Sequence, residues 1–150
     1  MAFEFSLRGL LRLRKIYEQR ERMRLVLLNA SRARARDQHD EIRQRRLLDF
    51  QSLEERLQEG MPGSELGLES AFLERAAAHQ REIAAFVEAL DLQVRQQVDV
   101  YWESQKKRKI LDSLRERERT AYQVVQDRRE QQRIDDLFAL RQFSGSTTEK

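Results

Sequence analysis

Apolar residues recur at alternating intervals of three and four along much of the chain. They fall at Leu10, Leu13 and Tyr17, again at Phe50, Leu53 and Leu57, and then at Ile83, Val87, Leu90, Val94, Val98 and Tyr101. Leu111, Leu114, Ala121 and Val125 resume the second series. This is the spacing of a coiled-coil seam, in which a narrow stripe of one helix faces a partner helix. Between Ser31 and Arg46 the stripe thins to Ala33, Ala35 and Ile42 among arginines and carboxylates, which predicts a loosely packed stretch there.

The residues that break helices gather in one place. Pro62, Gly60, Gly63 and Gly67 all lie within residues 59–67, the only credible loop. Ser6 is positioned to cap a first helix over about 7–58, and a second helix, starting in the Ser64 to Leu68 stretch, covers about 68–142. A polar tail follows over 143–150. The expected fold is all-α, a long antiparallel two-helix coiled-coil hairpin forming a single domain over residues 1–150.

Composition narrows this further. With 37% charged and 39% hydrophobic residues the 150-residue chain is too polar to bury a globular core. One Pro and five Gly argue against strands joined by turns, and the absence of Cys excludes disulfides, thiolate metal sites and thiol nucleophiles. The longest apolar run, Ile83 to Val87, is far short of the roughly 20 residues a membrane-spanning helix needs. The start has neither a basic nor an apolar leader region, so a cytoplasmic protein is expected. The net charge of +3 conceals blocks of +6, −6 and +3 over successive fifty-residue segments, so a hairpin places basic termini at one end and an acidic loop at the other.

The two helices differ in length, and this is the most informative geometric expectation. A turn at residues 60–67 sets residue i opposite about residue 127 − i. At 1.5 Å per residue the first helix is ~75–80 Å long and the second ~110 Å, leaving about 20 residues of the second beyond the start of the first. That overhang holds Tyr122, Val125, Ile134, Leu137 and Phe138, apolar residues with no partner in the hairpin, which marks a binding surface.

Catalytic chemistry is not in view. His39 and His79 are far apart in this register and read as surface residues that cannot share a metal. Asp135-Asp136 reads as an exposed helical face rather than an acid/base dyad, and no phosphate-binding loop or nucleophile elbow occurs. No catalytic, cofactor or metal residue and no small-molecule ligand is therefore expected. Nucleic acid is suggested by the 24 Arg, with Arg32, Arg34 and Arg36 in one run and Lys106, Lys107, Arg108 and Lys109 in another. Acidic residues interrupt both neighbourhoods, so a solvated face is the preferred reading. Tyr101 reads as a seam residue near Val26 and Leu27 with Trp102 at the edge, whereas Phe72-Leu73 follows the loop where the first helix offers only Leu57.

Two blocks carry a resemblance. The first is Phe3-Glu-Phe5-Ser-Leu7-Arg-Gly-Leu10-Leu11-Arg-Leu-Arg14. The second runs from Tyr101-Trp-Glu-Ser-Gln-Lys106 through Arg108, Lys109, Leu111, Leu114, Arg117 and Tyr122 to Arg129-Glu130-Gln131-Gln-Arg133-Ile-Asp135-Asp136. In order, spacing and total length these blocks resemble the flagellar FliJ family of export proteins. The resemblance extends from Phe3 to Arg141, although residues 18–100 are generic coiled coil and residues 31–46 show no family motif.

The resemblance implies a cytoplasmic coiled-coil hairpin, similar to the central stalk of rotary ATPases, that takes part in type III protein export and flagellum biogenesis. It implies three partners: the flagellar export ATPase ring, the cytoplasmic domain of the membrane export gate, and export chaperones. Joined to the overhang, that role makes Arg117, Arg119, Tyr122, Val125, Arg129, Arg133, Ile134, Leu137 and Phe138 the candidate ATPase contacts. Phe72 and Leu73, rimmed by Glu69 and Glu74, are the candidate export-gate contacts. The equivalent injectisome stalk proteins share this architecture, and a nucleic-acid-binding or purely structural coiled coil is the alternative of another class.

Overall fold

In the computed structural model, which describes residues 2–145, the chain forms two helices, α1 (Arg8–Glu59) and α2 (Gly63–Gly145), packed against each other as an antiparallel hairpin. No strand occurs among the described residues. The end of the expected tail, residues 146–150, lies outside the described residues, and 143–145 belong to α2.

The connection is tighter than the expected loop over 59–67. The Leu57 carbonyl accepts the Gly60 N–H at 3.3 Å, and Gly60 stops α1 with φ of 98°, a left-handed conformation that costs any residue with a Cβ. The Pro62 carbonyl then accepts N–H bonds from both Glu65 and Leu66, at 3.1 and 3.2 Å, so α2 already starts at Gly63. Gly67 is thus a helical residue, and a Cβ built on it meets nothing within 4 Å. Gly67→Ala is expected to stabilise the protein by about 0.5–1 kcal/mol, and Gly60→Ala to destabilise it by about 1 kcal/mol. Urea unfolding checks both, and equal shifts of one sign would contradict the turn. At the other end, the Leu7 carbonyl accepts the Leu11 N–H at 2.9 Å, which makes Leu7 rather than Ser6 the capping position.

The chain divides into two units. The first comprises Met1–Glu18 and Ser104–Lys150, of which residues 2–18 and 104–145 are described. Its core is a cluster of Phe5, Leu11 and Leu111, with Phe3 and Leu114 packed against it. On α1 the inward positions are Leu11, Arg14 and Glu18, one residue along from the expected Leu10, Leu13 and Tyr17, which are 39%, 43% and 41% exposed. Both stripes have the same 3/4 spacing. The second one wins because Phe5 folds back onto Leu11, and Glu18 finds a cross-helix partner in Arg108.

The second unit, Gln19–Glu103, has Ala35, Leu53, Leu90 and Val94 as its buried residues. Its inward α1 positions continue the heptad through Glu21, Leu25, Leu28, Arg32, Ala35, His39, Ile42, Arg46, Asp49 and Leu53. Val26, Leu27, Phe50 and Leu57, expected at or near the seam, are exposed. On α2 the expected Ile83, Val87, Leu90, Val94, Val98 and Tyr101 are all buried or half-buried, whereas Ala121 and Val125 farther along are exposed.

The expected loose stretch at 31–46 is instead a polar seam, and Ala35, at 2% exposure, lies within it. Arg32 and Arg36 reach Asp91 at 3.5 and 3.0 Å, Arg46 donates to Gln80, and Gln97 donates to the Glu21 carbonyl and carboxylate at 3.0 and 2.7 Å. The aliphatic stems of these long side chains cover apolar surface while their ends pair across the seam. Such pairs add little net stability but penalise a shifted register, in which each charge would face a wrong neighbour.

Candidate functional site

The end of the first unit is built by an N-terminal hook. Residues 2–7 are non-helical, and the Phe5 carbonyl accepts the Arg8 N–H at 3.2 Å, a turn that brings Phe5 into the Leu11–Leu111 cluster. Phe3 lies against Tyr122 with ring centroids 5.7 Å apart and planes tilted by 50°, an arrangement favourable to aromatic pairs. Tyr122 is therefore half-buried and partnered, a correction to its expected place in an unpartnered stripe.

Beyond Tyr122 α2 continues to Gly145, and of residues 123–145 only Gln126 is half-buried. Val125, Ile134, Leu137 and Phe138 are all exposed, Phe138 to 66%. At about 100° per residue, Ile134, Leu137 and Phe138 share one face, while Tyr122 and Val125 lie on another, turned by roughly 140°. The expected single stripe is thus two apolar faces. Arg117, Arg119, Arg129 and Arg133 are exposed, and none makes an ion pair among the described residues.

At the seam of the same unit, Arg108 is held between Glu18 of α1 and Asp112 one turn along α2, the latter at 2.5 Å. Hydrogen bonding to Glu18 first, and then to Asp112, raises the guanidinium pKa above its ordinary value against a smaller opposing effect of burial. Arg108, read from the sequence as part of a basic run, is a cross-helix pin. The Arg32–Arg36 run likewise directs two of its three cations onto Asp91.

At the loop end the expected pair separates. Phe72 is exposed, whereas Leu73 turns half-buried toward the seam, since adjacent helical residues point about 100° apart. Of the expected acidic rim, Glu69 accepts from Arg56 at 2.6 Å and Glu74 remains exposed. Tyr101 and Trp102 make a tilted pair at 6.3 Å, Tyr101 half-buried and Trp102 exposed.

His79 is exposed, but His39, expected at the surface, occupies a seam position and is half-buried, with Asp40 at 3.5 Å. Among the described residues no group of three His, Cys, Asp or Glu could hold a metal ion. No helix among them is long and apolar enough to cross a membrane.

The sequence matches the family described as Flagellar FliJ protein over residues 3–148. The chain belongs to the flagellar FliJ family. No curated protein and no solved structure matches it. Membership makes it a flagellar export-related protein, in a family of non-catalytic components, and favours the flagellar over the injectisome system. Phe3 and Phe5, which enter the sequence reading only as motif residues, have a physical role in this FliJ-family chain: they anchor the hook on α2.

Proposed function

We propose that the protein is a stalk and adaptor of the flagellar type III export apparatus, and that its terminal end enters the export ATPase ring and promotes ring assembly and turnover. The observation that carries this reading is the run of α2 past Tyr122, exposed almost all round and apolar on two separate faces. A helix enclosed by a ring meets protein on every side, so apolar groups spread around it suit that setting better than one stripe would. Contacts of this kind are weak and distributed, which leaves a ring free to turn over. Arg117, Arg119, Arg129 and Arg133 supply positive charge that speeds encounter with acidic groups of the ring.

The loop end, remote in sequence from the overhang, is assigned to the export gate with Phe72 as its contact and Leu73 as the seam residue that positions it. Through the gate the protein is held peripherally at the cytoplasmic face of the inner membrane, where it also meets export chaperones.

Ending the chain after Tyr122 tests the assignment of ends. The hook and the Phe5–Leu11–Leu111 cluster remain, so the helical spectrum and melting are expected to persist while stimulation of the purified ATPase falls to the level of the ATPase alone. Phe72→Ala is expected to do the converse, sparing stimulation and weakening gate binding. Full stimulation by the shortened chain would move ring insertion to the loop end.

A further inference from the structure

The first unit has a concave feature besides the projecting run of α2. A groove of about 460 Å³ has buried Phe5 and Leu11 in its lining and is edged by Arg8, Arg12 and Lys15 of α1 and Arg115 of α2. The three α1 cations follow at steps of four and three, on one helix face, and span ~10 Å along the axis. Glu4 is the one carboxylate in the lining. The side chains of the four cations make no ion pair or hydrogen bond among the described residues, whereas the nearby seam carboxylates Glu18 and Asp112 are both taken by Arg108.

Local helix physics does not account for this cluster. α1 has no acidic residue in its first turn, so Arg8 sits uncompensated at the positive end of the helix dipole. Arg8 and Arg12 also repel each other as an i,i+4 pair. Each effect is unfavourable to the helix, and a bound anion relieves both.

We propose that this groove binds an acidic segment of a partner protein, whose carboxylates pair with Arg8, Arg12, Lys15 and Arg115 while an apolar side chain covers the recessed Phe5–Leu11 floor. The floor decides the class of occupant. A bilayer surface would need apolar groups that protrude, and a duplex backbone has no apolar group to place in a recess; a peptide brings both a carboxylate series and a side chain that can enter. None of its lining residues is among those assigned to the ring or the gate, and its existence does not depend on the ring assignment.

The test uses the full chain and a fluorescently labelled, Glu-rich short peptide with a central Leu, read by anisotropy at low and moderate salt. Binding is expected to weaken as salt rises and to vanish for the counterpart with every Glu replaced by Gln. Combining Arg12→Ala with Arg115→Ala is expected to weaken it at least about tenfold, whereas Arg20→Ala with Arg22→Ala, at two exposed cations outside the groove and the overhang, leaves it unchanged. Equal loss in both double variants would reduce the site to diffuse charge and overturn the proposal. So would tighter binding, through the same four residues, to phosphatidylglycerol vesicles or to duplex DNA, or saturation of the groove by self-association of the chain in sedimentation.

Discussion

Replacing Leu111 with Asp is expected to unfasten the two helices in the first unit and to lower its melting temperature by on the order of 10 °C. Leu111 is 8% exposed and forms the α2 side of the Phe5–Leu11 cluster. Removing its side chain forfeits ~2–3 kcal/mol of apolar burial, and an unpaired carboxylate in the same place adds a further cost of about 1–3 kcal/mol. At this chain length each kcal/mol moves the midpoint by roughly 2–4 °C. Arg108 cannot readily rescue the new charge, because Glu18 and Asp112 already occupy it. Ile110→Asp, one residue away but exposed, is the control, with an expected change within ~0.5 kcal/mol. Thermal and urea unfolding followed by circular dichroism distinguish the two, and equal melting of Leu111→Asp and the natural chain would remove Leu111 from the core.

Arg108→Ala is expected to cost about 1–3 kcal/mol, because it strands Glu18, whose side chain is only 15% exposed, without its cation. Substituting both partners, Glu18→Leu with Arg108→Leu, is expected to restore stability to the natural level or above, since apolar groups then meet across a seam that Leu11 and Leu111 already line. The pair's contribution also has a defined pH dependence on the alkaline side. A cation whose folded pKa is raised contributes fully below its ordinary pKa and loses that contribution only as pH rises through the raised value. For the Arg108 guanidinium both lie far above neutrality, so urea midpoints of the natural chain and of Arg108→Ala are expected to keep a constant difference from neutral to mildly alkaline pH. A difference that closes over that range would mean that another group carries the effect.

The projecting run of α2 could be found from the chain alone, and the reason is geometric. Helix lengths follow from where Gly and Pro fall, and unequal lengths about one turn leave an overhang whatever the details of packing. The distribution of apolar groups on that overhang was harder to see. Tyr122, Val125, Ile134, Leu137 and Phe138 read as one stripe, but Phe3 covers Tyr122 and the helical pitch turns the remaining residues onto two faces. Phe72 and Leu73, adjacent in sequence, face different surroundings for the same reason. The basic groove had no signal in the sequence, because Arg115 stands far along the chain from Arg8, Arg12 and Lys15 and only the fold brings the four together.

Local chemistry settled what could be settled locally: helix throughout, from periodicity and scarce Gly and Pro, a reversal at Gly60 and Pro62, and an α2 seam in which Ile83, Val87, Leu90 and Val94 outweigh the mostly smaller set Ala85, Ala89 and Leu92 at the same spacing. On α1 the local pattern favours Leu10–Leu13–Tyr17, which is apolar throughout, over Leu11–Arg14–Glu18, yet the second stripe is the one turned inward. The choice depended on groups distant in sequence, with Arg108 pairing with Glu18 and Phe5 folding onto Leu11 and Leu111. The same holds for the arginine-rich stretch, where Asp91 and Gln80 on the facing helix turn an apparently solvated face into a seam around Ala35. Periodicity shows that a helix has a face to bury, but which of two similar faces is buried is decided by the charges and side chains that the partner helix presents to it.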